Sequence, residues 1–230
     1  MVISRHSFCL GGACGFGLAL LCAQFIPDVH YFLKMAYINL TTESLNGEEK
    51  KSANAGLDDS QSPYNSTIFP SHIDRNLHVN NARFVRELCF ARRRYFNRLG
   101  FWPILDSHRS NMFIVAQSIR YRREMRLWSR FSIVTKVLAI SDEDSCFFLE
   151  SRFISHADGF VDAVHVCKYK IVQGKKVSPR LLPSSLIKEA GFSSECIPNS
   201  PENVEFVLHW ETANKASSRE LLALSARNRV

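Results

Sequence analysis

Apolar residues recur at helical spacing over one stretch in the first half of the chain. One helix face would carry Phe84, Leu88, Ala91, Tyr95 and Leu99, with Val85 and Phe96 beside them. Arginines are frequent among the remaining positions, and Gly100 follows as a residue suited to ending a helix. The pattern predicts an amphipathic helix from about Asn80 to Leu99.

Beyond this helix the period of the apolar residues changes to two. Four β-rich segments follow: NMFIVAQSIRY, RFSIVTKVLAI, SCFFLESRFIS and FVDAVHVCKYKIV. The acidic stretch Asp142 to Asp144 and the pair Asp158-Gly159 separate the last three, and the second of these is a strong hairpin signal. Strands joined by short loops form an antiparallel sheet, one face of which must be buried. We therefore predict an α+β fold in which an antiparallel sheet wraps around one central helix.

The N-terminal segment has a different character. The run from Ser7 to Pro27 contains no charged residue and is long enough to cross a bilayer. It is either a cleaved signal peptide or a retained anchor. Leu21 occupies a position where a cleavage site would have a small residue, so the pattern favours the anchor. The anchor predicts a protein associated with a membrane, expected to be the endoplasmic reticulum, whereas cleavage predicts secretion.

The remaining boundaries follow from composition. We assign residues 1–36 to the hydrophobic anchor or signal segment and residues 37–63 to a flexible polar linker, because Thr41 to Ser62 is polar and lacks aromatic residues. Residues 64–175 then form the α+β domain. Residues 176–230 form a C-terminal extension with two helical patterns, which either pack on the domain surface or cover a substrate entrance.

Positive charge is concentrated in one part of the chain. The net charge is +7, and the stretch from His72 to Arg130 contains 13 arginines, no lysine and four acidic residues. Such a stretch is either a solvated basic face or a surface for an anionic partner, such as a phosphate-bearing ligand or a membrane. No nucleic-acid-binding signature is present, so nucleic acid is not expected as a partner.

The cysteines indicate no metal site. There are seven, none of them in a C-x-x-C pair, so we predict neither a zinc site nor a cofactor. Cys146 and Cys167 fall in apolar runs and are predicted to be small core residues.

Three motifs, in order, resemble one family. The stretch HIDRNLHVNNARF places Asp74, Asn76 and His78 at alternate positions before the predicted helix. Further on come YRRE, from Tyr121 to Glu124, and then LESRFIS with DGFV. Together these motifs resemble the thioesterase superfamily member six family, related to the plant acyl-carrier-protein and 4-hydroxybenzoyl-CoA thioesterases.

The resemblance implies a fold, an activity and a set of residues. It implies the hotdog fold, hydrolysis of an acyl thioester such as acyl-CoA or acyl-ACP, and a homodimer. It assigns catalytic roles to Asp74, Asn76, His78 and Glu124. The chain departs from the family pattern at His72, where an Asp is common, and at Met125, where the plant enzymes have a cysteine. Methionine forms no thiolate, so a cysteine nucleophile at that position is excluded.

The chemistry of thioester hydrolysis suits this arrangement. A helix N-terminus supplies free amides, here those around Val79 to Ala82, which can stabilise a carbonyl oxyanion. Asp74 can attack or activate water, Asn76 can orient the carbonyl or the water, and His78 can protonate the leaving thiolate or hold Asp74. As substrate-binding residues we predict Asn80, Asn81, Arg122 and Arg123, the arginines because coenzyme A carries phosphates.

Structural alternatives exist for each of these residues. Asp74 and Asn76 also suit a loop that caps a helix, for which Asn80 or Asn81 is the predicted N-cap. Glu124 could pair with a nearby arginine such as Arg122, Arg123 or Arg126. The alternative function is a non-catalytic hotdog protein that binds acyl-CoA or lipid, or that scaffolds membrane partners.

Overall fold

We describe the protein from a computed structural model, which covers residues 29–43, 57–60, 62–174, 180–196 and 201–227. The chain divides into two compact units, Met1–Thr42 and Glu43–Val230. In the first unit residues 29–41 are helical. The predicted anchor, Ser7 to Pro27, lies outside the described residues. Within the described residues, no helix combines the length and apolar character needed to cross a membrane.

The second unit is built on a five-stranded antiparallel sheet. Its strands are β1 (Tyr64–Thr67), β2 (Ser110–Tyr121), β3 (Arg130–Ser141), β4 (Cys146–Ser155) and β5 (Val161–Gln173). They are arranged in the order β1-β3-β4-β5-β2. The four strands read from alternation, β2 to β5, are confirmed. Strand β1 was not predicted, because its four residues YNST are too few to show a periodic pattern.

Four helices accompany the sheet: α1 (Asn81–Leu99), α2 (Phe101–Ser107), α3 (Pro183–Glu189) and α4 (Pro201–Arg227). The prediction of α1 is confirmed, including its end at Gly100, which adopts the left-handed conformation with φ 71°. The short helix α2 was not predicted. It begins immediately after that glycine, so the stop signal of one helix coincides with the start of the next.

The core lies between α1 and the concave face of the sheet. All five residues of the predicted apolar stripe on α1 are buried. Tyr95, Phe96 and Leu99 of α1 pack against Leu149 of β4 and Cys167 of β5. Cys146 and Cys167 are fully buried, as predicted for core cysteines.

The C-terminal helix covers the opposite face of the sheet. Val207 of α4 packs against Leu138 and Phe148, and Trp210 Nε1 donates to Ser118 Oγ of β2 at 3.1 Å. Lys168 Nζ of β5 lies 2.6 Å from Glu211 Oε1 of α4. The C-terminal extension was predicted either to pack on the domain surface or to cover a substrate entrance. The described part of α4 packs on the domain surface.

Candidate active site at the N-terminus of the central helix

The loop before α1 is a tight turn that projects alternate side chains. The Asp74 amide donates to the His78 carbonyl at 3.0 Å, and the Leu77 amide donates to the Asp74 carbonyl at 3.1 Å. Leu77 has a φ of 64°, a left-handed conformation that is unusual for a leucine. The Asn76 amide donates to Asp74 Oδ1 at 2.8 Å, which fixes the carboxylate in an Asx turn.

Asn80 is the N-cap of α1. Its backbone is extended, and its side-chain oxygen accepts a hydrogen bond from the Ala82 amide at 2.9 Å. This confirms one of the two N-cap residues predicted from the sequence. Because its side-chain oxygen serves the cap, Asn80 has less capacity for the substrate contact that we also predicted.

The amides of Val79 to Ala82 are not all free to bind an oxyanion, which corrects the sequence-based expectation. Val79 donates to the Met125 carbonyl at 3.0 Å, and Asn80 donates to the His72 carbonyl at 2.9 Å. The Ala82 amide is occupied by the cap. Within the part of the chain that the structure describes, the Asn81 amide is the one member of this group without a protein acceptor. The loop folds back on its neighbours, and local sequence could not reveal those contacts.

A cleft of about 400 Å³ opens beside this amide. It is lined by His78, Val79, Asn81, Phe84, Tyr121, Arg122, Arg123, Glu124 and Met125. The motifs HIDRNLHVNNARF and YRRE are well separated in the sequence, but residues of both line this one cleft. Five predicted site residues line the cleft, whereas Asp74, Asn76 and Asn80 do not.

Asp74 reaches the cleft through His78. His78 Nδ1 lies 3.8 Å from Asp74 Oδ1, an ion-pair separation rather than a hydrogen bond. The Asp74 side chain is 24% exposed and that of His78 is 37% exposed. The imidazole therefore lines the cleft, and the Asp74 carboxylate lies near it without lining the cleft itself. The side chain of Asn76 is exposed and contributes to the loop through its backbone amide.

Glu124 forms an ion pair on the cleft wall. Its carboxylate accepts from Arg126 Nε at 2.7 Å and also from Arg126 Nη2. The hydrogen bonds and charge of Arg126 lower the pKa of Glu124, with a smaller contribution from His78. This geometry realises the arginine pairing that we considered from sequence, and it keeps an ionised carboxylate near His78.

The two arginines of the cleft differ in how strongly they are engaged. Arg123 Nε lies 2.6 Å from Asp162 Oδ1, and its Nη2 lies 3.0 Å from Asp158 Oδ1. Arg122 donates to the Val161 carbonyl at 3.1 Å, and both guanidinium groups lie over the Phe160 ring. Hydrogen bonds from Arg123 hold the pKa of Asp158 well below its ordinary value. Arg122 therefore has more donors available for a ligand than Arg123.

Some residues of this site were not predicted as functional. Asp158 and Phe160 were recognised only as part of a hairpin, yet they hold the arginines of the cleft wall. Tyr121 was recognised as part of a motif, and its ring packs edge-on against Phe84 at 5.0 Å. The only sequence signal for these contacts was the acidic character of the turn facing a basic strand. Met125 is buried, and its carbonyl accepts from Val79, so it is structural.

Comparisons with known proteins find a matching family model, similar relatives and similar solved structures. The model of the thioesterase-like superfamily matches residues 69–187. Protein THEM6 from Xenopus laevis is 35% identical over 162 residues, which cover 70% of this chain and 72% of the relative. Protein THEM6 from Danio rerio is 34% identical over 153 residues, covering 66% and 70% respectively. The crystal structure of YbaW, a probable thioesterase from Escherichia coli, is 20% identical with a TM-score of 0.48, and the match covers 59% of this chain and 97% of that one.

The curled antiparallel sheet with its central helix defines a thioesterase-like domain of the hotdog type. The chain belongs to the thioesterase-like superfamily and, within it, to the THEM6 family. This confirms the family resemblance read from the three motifs. Superfamily membership also supports the predicted enzyme class, an acyl-CoA thioesterase-like hydrolase.

Proposed function

We propose that this protein hydrolyses acyl thioesters of coenzyme A in the cleft at the N-terminus of α1. The observation that carries the proposal is the meeting of His78 and the unoccupied Asn81 amide in one cleft. His78 can accept and donate a proton, and the Asn81 amide can bind a developing oxyanion. Acyl transfer to water requires both functions.

In the proposed mechanism Asp74 and His78 act as a pair. His78 takes a proton from water as the water oxygen attacks the thioester carbonyl, and Asp74 stabilises the imidazolium that forms. The carbonyl oxygen becomes an oxyanion and accepts from the Asn81 amide. When the intermediate collapses, the carbon–sulfur bond breaks and the thiolate takes the proton from His78. Asn76 positions Asp74 through its amide.

The carrier portion of the substrate is assigned to the basic wall of the cleft. Arg122 has donors to spare, so we assign it to a phosphate of coenzyme A, and Arg123 serves to hold the wall in place through Asp158 and Asp162. Arginine forks suit phosphate oxygens, and such contacts weaken with added salt. Replacing Arg122 by Leu should therefore raise KM for acyl-CoA and reduce the salt dependence of KM. The charge-conserving change Arg122→Lys should retain part of the affinity and part of the salt dependence. An unchanged salt dependence in Arg122→Leu would reject this assignment.

The test of the mechanism is Asp74→Asn, measured on a panel of acyl-CoAs. Asparagine keeps the size of the side chain and accepts the same hydrogen bond from the Asn76 amide. The variant should therefore fold with an unchanged melting temperature but lose roughly 10²- to 10⁴-fold in kcat. Acyl-CoA binding, measured by calorimetry, should persist.

The matched control is Asn76→Ala, which keeps the backbone amide that contacts Asp74 and removes only an exposed side chain. It should retain most of the activity. Full turnover in Asp74→Asn would reject the catalytic pair. Binding without turnover in the wild-type protein would instead favour the non-catalytic acyl-CoA-binding function.

A homodimer is part of this proposal. The edge strand β2 pairs with β5 on one side, and Phe113 and Val115 on it are about half exposed. A long edge with exposed apolar side chains invites pairing with a second copy. Sedimentation equilibrium should give twice the chain mass, and Val115→Lys should shift the protein towards the monomer. A wild-type monomer at micromolar concentration would reject the dimer.

Association with a membrane is also proposed, through the uncharged Ser7 to Pro27 segment and with the endoplasmic reticulum as the expected location. The full chain should remain in the membrane fraction after an alkaline carbonate wash. A mature chain beginning near Gln24 and recovered from the medium would establish secretion instead.

A further inference from the structure

A buried arginine lies halfway along α1. Arg92 is only 2% exposed, and its Nε and Nη1 have no hydrogen-bond partner among the residues that the structure describes. Its third nitrogen, Nη2, donates to the Cys89 thiol at 3.6 Å, and its guanidinium lies 5.9 Å from the centre of the Tyr169 ring. Among the ion pairs of the described residues, none includes Arg92. A charge taken out of water without an acidic partner is costly, so its presence calls for an explanation.

A second unpartnered group lies beside this arginine. His165 of β5 is 1% exposed, and within the described part of the chain its Nδ1 has no hydrogen-bond partner. Burial, followed by the charge of Arg92, lowers the pKa of His165 to about 3. The histidine is therefore neutral and leaves the positive charge of Arg92 uncompensated. Its Nε2 lies 3.2 Å from Gln117 Oε1 of β2, and Gln117 is exposed.

The cluster of Arg92, His165 and Gln117 lies farther along α1 and β2 than the residues that line the cleft. Tyr121 lines the cleft, and Gln117 lies four residues earlier on the same face of β2, about 13 Å away at the rise of a strand. On α1, Arg92 is eleven residues beyond Asn81, about 16 Å along the helix. Measured along either β2 or α1, the cluster therefore lies at a similar distance from the proposed reaction centre. Gln117 connects it to the exterior.

We propose that the Arg92–His165–Gln117 cluster is a subsite for a carboxylate at the far end of the acyl chain, so that the preferred substrates are ω-carboxyacyl thioesters. This inference rests on the proposed function, because it assumes that the thioester end lies in the cleft at Asn81. The acyl chain runs between α1 and β2, past the half-buried Val85 and Cys89 of α1. The terminal carboxylate then supplies the missing negative charge to the free nitrogens of Arg92.

The chemistry of the cluster favours a carboxylate over a methyl end. Guanidinium–carboxylate hydrogen bonds are charge-assisted and stronger than neutral ones. A methyl group placed there would leave the buried guanidinium unpaired, which is the situation in which a polar site discriminates most strongly. The Gln117 amide can offer either its oxygen or its NH2 group to His165 Nε2. When the NH2 group donates to Nε2, the proton of the neutral ring is on Nδ1, which can then donate to a carboxylate.

The experiment compares ω-carboxyacyl-CoA with methyl-ended acyl-CoA of equal chain length, over a series of lengths, using the full chain. The wild type should prefer the carboxyl-ended substrate at the lengths that reach the cluster. Replacing Arg92 by Met keeps the apolar stem and removes the charge. The preference, measured as a ratio of kcat/KM values, should fall by roughly 10- to 100-fold. Turnover of methyl-ended substrates should be unchanged or improved.

The matched control is Arg93→Met. Arg93 is the next residue on the helix, and its guanidinium lies over the Trp102 ring at 4.3 Å, away from the cluster. This variant should leave the substrate preference unchanged. If Arg92→Met does not fold, Gln117→Leu provides a second variant from an exposed position. It removes the amide that holds His165 and should reduce the preference in the same direction.

Binding separates this inference from the proposed hydrolysis. Thioether analogues of both ligands cannot be hydrolysed, and the shift in melting temperature reports their binding. A larger shift with the carboxyl-ended analogue, lost in Arg92→Met, would support the subsite even if no thioester were turned over. Hydrolysis of both substrates without preference would overturn the subsite while leaving the proposed function intact. Dissociation of a dimer in Arg92→Met, with no change in preference, would also overturn it, because the anion would then come from the second copy.

Discussion

The two ends of the central helix are built for different purposes. At its N-terminus, α1 meets a polar turn and an open cleft in which His78 and the Asn81 amide remain available to a ligand. At its C-terminus, Phe96 is enclosed by the rings of Phe101, Trp102 and Tyr169 at 5.3 to 6.0 Å. Gly100 ends the helix there, and α2 follows directly. One end has unused hydrogen-bonding capacity, whereas the other end is filled with apolar groups.

This difference separates stability from chemistry along a single element. The aromatic end contributes buried apolar area and fixes α1 against the sheet. That fixed helix then holds the loop from His72 to Asn80 in one conformation, which lets an exposed turn maintain a site. Changes at the closed end should therefore affect stability with little effect on chemistry, and changes at the open end should do the reverse.

The largest stability effect is expected at the closed end. Phe96→Ala removes a fully buried ring and should reduce the free energy of unfolding by about 3–5 kcal/mol. Denaturant unfolding measures this loss, and activity is assayed at a temperature where the variant is folded. There kcat/KM should remain close to that of the wild type. Phe96→Leu fills most of the space and serves as the milder control; a large loss of kcat in the folded Phe96→Ala protein would contradict the separation of the two ends.

A smaller effect is expected midway along α1, and it depends on pH. Burial lowers the pKa of His165 to about 3, whereas an unfolded histidine titrates near 6.5. Below pH 6.5 the unfolded chain binds a proton that the folded chain does not, so stability should fall as pH drops from about 6.5 towards 3. At pH 5 the loss attributable to this residue is about 2 kcal/mol relative to pH 7.

The measurement is the free energy of unfolding at pH 7 and pH 5 for the wild type and for His165→Gln, which does not titrate. The variant should lose less stability between the two pH values, even if it is less stable at pH 7. An identical pH dependence in both proteins would show that His165 does not titrate with the predicted low pKa.

The smallest effect is expected at the cap of the open end. Asn80→Ala removes the hydrogen bond to the Ala82 amide and should cost about 1 kcal/mol of stability. Asn80→Asp, a capping residue of similar strength, should restore the melting temperature. If the folded Asn80→Ala protein also loses substrate affinity and Asn80→Asp does not restore it, Asn80 contacts the substrate as the sequence analysis predicted.

Much of the fold was predictable because it depends on local repetition. The apolar period of 3.6 residues marked α1, the period of two marked β2 to β5, and Asp158-Gly159 marked a hairpin in which Gly159 has a φ of 71°. The elements that were missed, β1 and α2, are four and seven residues long. At those lengths a period is hardly repeated, and burial of Tyr64 and Phe101 by distant residues decides the conformation.

The features of the candidate site also separate into those set by local sequence and those set by tertiary contacts. The sequence by itself determined the family and the polar loop before α1, and it narrowed the N-cap to Asn80 or Asn81, because these depend on residue types at short spacing. Only the tertiary structure decided that the Val79 and Asn80 amides are occupied, that His78 lines the cleft whereas Asp74 does not, and that Arg123 is held by Asp158 and Asp162. It also revealed that Arg92, one arginine among thirteen in its stretch, is buried with no acidic partner among the described residues. Burial and pairing depend on residues far apart in the chain, and a charged side chain carries no local mark of which partner folding will bring to it.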